Sequence, residues 1–278
     1  MRVTEAEQQS GSLTAEHLTE ALRTFRDVGY VVFENVYSPE FIAEVRTAYD
    51  KQMKAYIASR GGINAMDGKT FGKNHIGFFP QMFAPIADTQ IVAHPLAVQM
   101  MTHLLGKDFH SSFFHTNTAL PGSGYQPIHR DTQPLFDRSE LGTATPVYTL
   151  VLNIPLCDFT LENGSTEVWT GTHLVVDDPD DKRPLEERAA LLPSTRTNIP
   201  VGSLVLRDMR MWHRGVPNNS RTSRTMFALV YHRHWIADET ISIPQTTWDT
   251  WGDAARHIYR KNQIIPDADH RARRWAHE

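Results

Sequence analysis

Cysteine is almost absent from this sequence: Cys157 is the only one among 278 residues. A single thiol cannot form an internal disulfide, which excludes the cross-linked framework of a small secreted protein. We expect Cys157 to pack as a small hydrophobic side chain. Long apolar runs are missing too, since no stretch of about 18 apolar residues occurs and the N-terminus lacks the apolar segment of a signal peptide. These absences predict a soluble, cytoplasmic protein.

A strong excess of charge is also missing. The chain has 28 Lys and Arg against 32 Asp and Glu, a formal net charge of −4. This balance gives no reason to expect nucleic acid or an anionic membrane as a partner. We interpret the arginine-rich residues 270–275 as a solvent-exposed helix end. Hydrophobic residues make up 40% of the chain, enough for one large core, and we predict a single domain over residues 1–278.

Helical patterns dominate the first 107 residues. Residues 1–12 are polar and are expected to be frayed. Helices are predicted where a capping residue precedes apolar residues at helical spacing and glycine ends the pattern: after Thr14, after Ser38, and from His94 to Gly106. The stretch Tyr30–Phe33 is β-branched and aromatic, and it predicts a strand. This part of the chain is therefore expected to support a sheet that comes later.

A long stretch without periodicity, residues 61–92, separates two of these helices. It carries Phe71, Phe78, Phe79 and Phe83 among glycines and prolines. A loop of this length is more often functional than idle, and a lid over a pocket would use such rings. The rings would equally suit a loop that covers the outer face of a sheet. Both interpretations stay open.

After residue 107 the period changes from helix to strand. Short aromatic and branched runs, separated by turn residues, predict strands at residues 109–118, 146–155, 165–169, 203–207 and 224–235. Helices followed by strands favour a mainly β fold with flanking helices and a double-stranded β-helix core, a jelly roll of the cupin type. We assign that core to residues 108–235 and a C-terminal extension to residues 236–278. The charged insert at residues 177–197 is expected to form a short helix beside the barrel mouth.

The stretch from Gln126 to Asp131 contains a candidate metal site. His129 and Asp131 are two residues apart, so on a strand both side chains leave the same face and can reach one ion. His213, from a distant segment, would complete a triad of two imidazoles and one carboxylate. Such a triad occupies one face of an octahedral iron and leaves three positions for a cosubstrate and oxygen.

The surroundings of His213 strengthen this interpretation, because a His-x-Asp pair alone is expected about once by chance in this composition. Arg224 follows His213 by eleven positions and opens a strand pattern. A guanidinium inside a barrel needs an anion, which a dicarboxylate cosubstrate would supply. If Arg224 points inward, alternation places residues 226, 228 and 230 inward and the bulkier residues 227, 229 and 231 outward against the helices.

Four segments, in order, resemble the phytanoyl-CoA dioxygenase family of Fe(II)/2-oxoglutarate oxygenases: residues 25–32, 126–131, 161–173 and 213–224. The resemblance covers most of the chain. It implies that His129, Asp131 and His213 bind iron. It also implies that the cosubstrate 2-oxoglutarate contacts Gln126 near the iron and is held at its distal carboxylate by Thr166 and Arg224.

The reaction implied by the resemblance consumes O2 and converts 2-oxoglutarate to succinate while a C–H bond of a small organic molecule is oxidised. Hydroxylation is the expected outcome, in natural-product or amino-acid-type metabolism. Asp131 keeps the carboxylate that related iron halogenases replace by a small residue, which disfavours chlorination. Zinc could also bind two histidines and a carboxylate, but it would give no role to Arg224 or Thr166.

Two other functions remain as alternatives. Oxidation of an acyl-CoA thioester would need cationic contacts for the phosphates, and the candidate lid has no concentrated basic tract. A non-catalytic cupin-like protein that binds a metal or 2-oxoglutarate would keep the same ligands without turnover. Consumption of 2-oxoglutarate would distinguish an enzyme from such a non-catalytic protein.

Four other histidines are interpreted as structural. His232 and His234 lie two apart on the predicted last strand but lack a carboxylate, and His115 and His173 are expected to pack. Trp212 either lines the substrate pocket or covers the sheet. Rings at positions 71, 79, 83 and 212 would favour an apolar or ring-bearing ligand.

Overall fold

A computed structural model describes residues 1–63, 72–136, 144–178 and 180–272. The described helices are α1 (Glu5–Ser10), α2 (Ala15–Val28), α3 (Pro39–Ser59), α4 (Thr89–Val92), α5 (Pro95–Leu105), α6 (Leu185–Ala189), α7 (Gln245–Thr250), α8 (Asp253–Ile258) and α9 (Asp267–Ala272). The described strands are β1 (Tyr30–Phe33), β2 (His75–Ile76), β3 (His110–Ala119), β4 (Thr149–Pro155), β5 (Glu167–Val168), β6 (Thr195–Arg196), β7 (Leu204–Asp208), β8 (His213–Arg214), β9 (Arg224–His232), β10 (Ser242–Pro244) and β11 (Gln263–Ile265). No described helix is both long enough and apolar enough to cross a bilayer.

Two sheets enclose the centre of the molecule. The larger has the strand order β1-β7-β4-β9-β3-β2, with antiparallel neighbours, and the smaller has the order β6-β5-β8. Side chains of both sheets line one cavity, including Val151 of β4 and His213 of β8. This arrangement is the predicted jelly-roll core. β10 and β11 pair separately, in the C-terminal extension.

The two faces of strand β9 carry different side chains and have different surroundings. Phe227, Leu229 and Tyr231 are fully buried in the main hydrophobic core. The alternate positions Met226, Ala228 and Val230 line the cavity together with Arg224. The predicted alternation is therefore confirmed, and it follows from the two-residue period of a strand. One face of β9 packs against helices while the other borders a space that a ligand can enter.

The predicted helices form, with the expected ends. The Thr14 side chain caps α2, which ends at Gly29 with a left-handed φ of 94°. The Ser38 side chain caps α3, and Pro39 occupies its first turn. The ring of Tyr49 on α3 stacks on Phe78 at 5.7 Å between centroids. Phe78 thus covers the sheet, as one interpretation of its loop required.

The N-terminus is not frayed, contrary to the prediction from its polarity. A capping box joins Thr4 and Glu7 at the start of α1. The buried Val3 pairs through its backbone N–H with the carbonyl of Glu34 at 3.0 Å. Glu7 also accepts a hydrogen bond from the backbone N–H of Thr14 at 2.8 Å, which ties α1 to α2. This segment is ordered by contacts with residues that lie elsewhere in the sequence, and local polarity cannot reveal such contacts.

The structure differs from the predictions for the end of the last strand and for the C-terminal helix. β9 ends at His232, so His234 does not share that strand. The C-terminal helix α9 is not simply a solvated end, because its His270 is buried and accepts a hydrogen bond from the Met82 backbone N–H at 3.1 Å. Residues 273–275 of that run lie outside the described residues, as does Phe71 of the candidate lid. The insert contains the expected short helix, α6.

Candidate metal centre

The three residues proposed as metal ligands come together. A backbone bridge joins His129 to His213, with N···O distances of 3.0 and 2.9 Å, and the Asp131 N–H donates to the Met209 carbonyl at 2.9 Å. One ligand atom from each of the three side chains lies within 4.8 Å of the other two. Asp131 Oδ1 is 3.5 Å from Nε2 of His213 and 3.7 Å from Nε2 of His129. The cluster has the size that binding to one ion requires.

Hydrogen bonds set which nitrogen of each imidazole faces this cluster. Nδ1 of His129 lies 2.8 Å from the Pro127 carbonyl, and Nδ1 of His213 lies 3.0 Å from the Met211 carbonyl. Because a carbonyl oxygen only accepts, each Nδ1 carries the proton and each Nε2 presents its lone pair. Carbonyl contacts of this kind orient histidine ligands in metal sites.

The charge state also suits a divalent metal. Burial, assisted by the charge of Arg207, lowers the pKa of His213 to about 3, so its imidazole is neutral at pH 7. Burial alone would raise the pKa of Asp131, but the nearby His213 ring and the charged Arg207 guanidinium outweigh it and lower this pKa below the usual range. Two imidazoles and one carboxylate fit an iron(II) ion.

Arg207 is a site residue that the sequence analysis missed. Its Nη2 donates to Oδ2 of Asp131 at 2.6 Å, and its side chain is 8% exposed. The second carboxylate oxygen of Asp131 is thus occupied, while Oδ1 faces the imidazoles. One signal was present: Arg207 interrupts a buried apolar strand, and a buried guanidinium requires an anionic partner.

Behind the candidate ligands, two arginines fix Trp212. The Arg130 guanidinium forms two hydrogen bonds with Asp177, at 2.7 and 3.0 Å, and Arg188 forms another at 2.8 Å. Both guanidinium groups lie over the Trp212 ring, at 5.7 and 4.9 Å from its centroid. Trp212 is buried against Ile128 and does not line the cavity. Of its two interpretations, packing describes its position.

The metal cluster opens into a cavity of about 1190 Å³. Arg224, at one end, is 1% exposed, and its Nε and Nη1 have no hydrogen-bond partner among the described residues. Its guanidinium lies 4.8 Å from the centroid of the Phe159 ring. Burial lowers the pKa of Arg224 to about 10, which leaves it charged at neutral pH. An unpaired buried cation beside a metal cluster suits a dicarboxylate that binds both.

The other two predicted cosubstrate contacts line the same cavity. Thr166 borders it next to β5. Gln126 accepts a hydrogen bond from the Gly215 N–H at 2.9 Å through Oε1. A Cβ atom at position 215 would lie only 2.4 Å from that oxygen, so this glycine allows the close approach. Gln126, Thr166 and Arg224 therefore border one space with the candidate metal ligands.

A second region of the cavity is aromatic. Phe79, Phe113 and His115 pack edge to face or stacked with centroid distances of 4.9 to 5.6 Å, and all three line the cavity. We call this trio the aromatic wall. Phe83, in contrast, packs against His270 at 5.5 Å. Of the rings expected to meet a ligand, the structure places Phe79 at the cavity.

The remaining histidines divide between packing and cavity. Nε2 of His173 bonds to the Arg26 carbonyl at 2.9 Å, as expected of a structural residue. His115, also expected to be structural, lies in the aromatic wall. His232 lines the cavity beside Thr149 and Asp238, apart from the metal cluster.

Residues 25–226 match the family model described as phytanoyl-CoA dioxygenase (PhyH). The chain is similar to dioxygenase andF of Emericella variicolor, with 23% identity over 224 residues that cover 77% of this chain and 73% of that protein.

Two solved structures share the fold. AviO1 from Streptomyces viridochromogenes Tue57 has a TM-score of 0.62 and 18% identity, covering 82% of this chain and 100% of that one. The epimerase SnoN, from nogalamycin biosynthesis, has been solved with Fe3+, alpha ketoglutarate and nogalamycin RO. Its TM-score in that complex is 0.57, with 18% identity over 79% of this chain and 85% of that one.

Proposed function

Because this chain belongs to the phytanoyl-CoA dioxygenase family of iron- and 2-oxoglutarate-dependent oxygenases, we propose that it hydroxylates a C–H bond of a small organic molecule, with His129, Asp131 and His213 as its iron ligands. One observation carries the proposal: a cluster of two imidazoles and a carboxylate shares a cavity with a buried arginine that has no ion-pair partner among the described residues. The cluster suits the metal, and the arginine suits the cosubstrate's free carboxylate.

A bound iron(II) ion would let O2 act as the oxidant, with 2-oxoglutarate giving up two electrons as it is converted to succinate and CO2 and the substrate C–H bond giving up the other two. The protein's residues bind the metal ion and the cosubstrate, orient them and shield them from water. His129 and His213 present their Nε2 lone pairs, and Asp131 presents Oδ1 while Arg207 holds Oδ2. These three side chains would hold an iron ion, and because all three line the cavity, coordination positions would remain for the cosubstrate and O2.

Cosubstrate binding is assigned to residues away from the ligands. The Arg224 guanidinium and the Thr166 hydroxyl would bind the distal carboxylate of 2-oxoglutarate, and Gln126 lies nearer the metal cluster. Buried apolar residues around Arg224 exclude water, which strengthens a charge-assisted hydrogen bond there. Orientation of the cosubstrate thus depends on a contact remote from the metal.

The cavity favours an uncharged or ring-bearing substrate over a coenzyme A thioester. Arg207 and Arg224 are the only arginines among its described lining residues, which include no lysine. Arg207 is already paired with Asp131, and Arg224 is assigned to the cosubstrate. No lining cation is left for phosphate groups. The relation to SnoN, a nogalamycin biosynthetic enzyme, supports a natural-product substrate.

The test is an assay of the iron-loaded protein with 2-oxoglutarate, O2 and a panel of ring-bearing natural products, read by succinate formation and product mass. Hydroxylation places one oxygen atom from 18O-labelled O2 in the product, whereas desaturation or epimerisation places none. Asp131→Ala is the control for adventitious iron chemistry. If iron-loaded protein shows no charge-transfer absorption with 2-oxoglutarate and forms no succinate, the proposal is wrong.

A further inference from the structure

The region of the cavity away from Arg224 contains an ordered set of polar side chains. Nδ1 of His232 lies 2.9 Å from the Thr149 hydroxyl, and Nε2 lies 3.1 Å from Oδ2 of Asp238. All three residues line the cavity. His232 is almost fully buried, whereas 43% of the Asp238 side chain is exposed. Oδ2 also accepts a hydrogen bond from the Ser112 hydroxyl at 3.4 Å, and part of the carboxylate remains exposed to the cavity.

The strand register places Thr149, His232 and Asp238 on the opposite side of the metal cluster from Arg224. Val151 on β4 pairs with both Val230 and Arg207, and the Arg207 side chain contacts Asp131. His232 pairs with Thr149, two residues further along β9 in the direction away from Arg224, or about 7 Å at strand rise. Arg224 and His232 thus lie on opposite sides of the level at which Arg207 meets Asp131.

Within the described part of the chain, Asp238 has no lysine or arginine partner. No Lys or Arg nitrogen among the described residues lies within 4 Å of its carboxylate. Burial lowers the pKa of His232, so its imidazole is neutral and donates Nε2–H to Asp238 while the Thr149 hydroxyl donates to Nδ1. The backbone N–H of Glu239 donates to Oδ1 of Asp238 at 2.8 Å. The carboxylate is oriented by neutral donors and keeps capacity to accept another.

The cavity has room for a substrate that reaches both this carboxylate and the aromatic wall. Its volume of about 1190 Å³ exceeds the roughly 300–1,000 Å³ usual for ligand pockets. The wall residues on β3, Phe113 and His115, are only partly buried because they border the cavity. A flat apolar body packs well against such rings.

Building on the proposed function, we propose that Asp238, oriented by His232, binds a hydrogen-bond donor on the substrate while the substrate's ring system packs against the aromatic wall. The donor is a hydroxyl group or a protonated amine. Such a contact fixes which carbon of the ring system faces the metal, because two separate attachments determine orientation better than packing alone. The assignment adds a substrate-binding group and a chemical class of substrate to the site.

Probe binding to the iron-loaded, 2-oxoglutarate-bound protein under anaerobic conditions tests this inference. The probes are 2-naphthol, 2-(aminomethyl)naphthalene and 2-methoxynaphthalene, which share a ring system but differ in their donor, and binding is followed by naphthalene fluorescence anisotropy. We expect the wild type to bind at least one donor probe about tenfold more tightly than 2-methoxynaphthalene, since a hydrogen bond to a charged group contributes about that much. The donor that gains more identifies the hydroxyl or the ammonium as the recognised group.

Asp238→Asn should reduce this preference to less than about threefold, and the matched control Glu239→Gln, an exposed neighbouring acid, should retain it. His232→Gln should weaken the preference as well, by releasing the orientation of Asp238. Equal binding of all three probes to the wild type, no binding of any probe, or an unchanged preference in Asp238→Asn would overturn the inference.

The charge-transfer absorption of the iron and 2-oxoglutarate complex is recorded in every sample. If it forms while the donor preference is absent, the substrate contact is wrong and the proposed function stands. If it fails to form in the wild type, the proposed function itself has failed.

Discussion

The guanidinium of Arg207 holds one oxygen of Asp131, at 2.6 Å, and leaves the other facing the imidazoles of His129 and His213. The carboxylate can therefore offer one oxygen to a metal ion while the second stays paired. A carboxylate free to use both oxygens would occupy a further position on the ion. Arg207 thus favours the open coordination that a cosubstrate and O2 need.

Replacing Arg207 should weaken metal binding without removing a ligand. We expect Arg207→Gln to lower the affinity for Fe(II) about 10- to 100-fold, because Asp131 loses the contact that orients it. Anaerobic titration with Fe(II) in the presence of 2-oxoglutarate measures this through the charge-transfer absorption. Arg221→Gln changes an exposed arginine and should have no effect. Equal affinities of Arg207→Gln and the wild type would show that Asp131 needs no such partner.

Arg224→Ala should chiefly raise the KM for 2-oxoglutarate, on the order of 100-fold, because truncating one member of a buried charge pair leaves the other unpaired. The change in kcat should be much smaller. Arg224→Lys should recover part of the loss by restoring charge without the planar fork. Succinate formation at varied 2-oxoglutarate concentration provides both constants. An unchanged KM would exclude Arg224 as the cosubstrate's anchor.

Each of His129→Ala, Asp131→Ala and His213→Ala should abolish succinate formation, because two ligands hold iron(II) too weakly and too loosely for turnover. Metal content after anaerobic loading and desalting should fall in all three variants. His234→Ala is the matched control, since His234 is exposed and lies outside the metal cluster. Retention of both iron and activity by any one of the three variants would remove that residue from the proposed ligand set.

Glu7 should stabilise the N-terminus in a pH-dependent way. Burial would raise its pKa, but hydrogen bonds from the backbone N–H groups of Thr4 and Thr14 lower it to about 2, against an ordinary value of 4.5. A lowered acid pKa stabilises the folded state above pH 4.5, and this contribution is lost as the pH falls from 4.5 to about 2. We expect Glu7→Gln to reduce the free energy of unfolding by about 1–2 kcal/mol at pH 7.

Chemical denaturation at several pH values checks this expectation. The difference between Glu7→Gln and the wild type should shrink as the pH falls from about 4.5 to about 2, because the Glu7 carboxylate of the unfolded chain takes up a proton in this range before that of the folded protein. Glu5→Gln, a change at an exposed acid of the same helix, should be neutral at every pH. A constant difference between Glu7→Gln and the wild type across the range would show that the charge of Glu7 does not stabilise the fold.

Local periodicity was enough to predict several helices and strands, and to predict which side chains of β9 face the cavity. β9 and α3 carry their burial patterns in their own residues, so their inner and outer faces could be assigned before any contact was known. The candidate ligands were found because their spacing, His-x-Asp and a distant histidine, has a chemical meaning. Arg224 was expected in the cavity because a buried guanidinium needs an anion and because of the family resemblance, and the alternation of the strand it opens was consistent with that position.

Contacts between distant segments could not be predicted. Arg207 and Asp131 are 76 residues apart, and the strand that carries Arg207 reads as an apolar core strand. Asp238 follows β9 in an irregular segment, where no period shows which way a side chain points. Residues 1–12 are likewise ordered through contacts with Glu34 and Thr14, and the polar sequence of this segment does not reveal those contacts.

The two faces of β9 have a consequence for how this enzyme can change. Phe227 and Leu229 pack in the hydrophobic core, whereas Met226, Ala228 and Val230 line the cavity. If the cavity binds the substrate as proposed, exchanging Ala228 for a larger residue would alter which molecules are accepted, while the side chains that face the helices stay unchanged. New substrate ranges would then arise by mutation along a single strand.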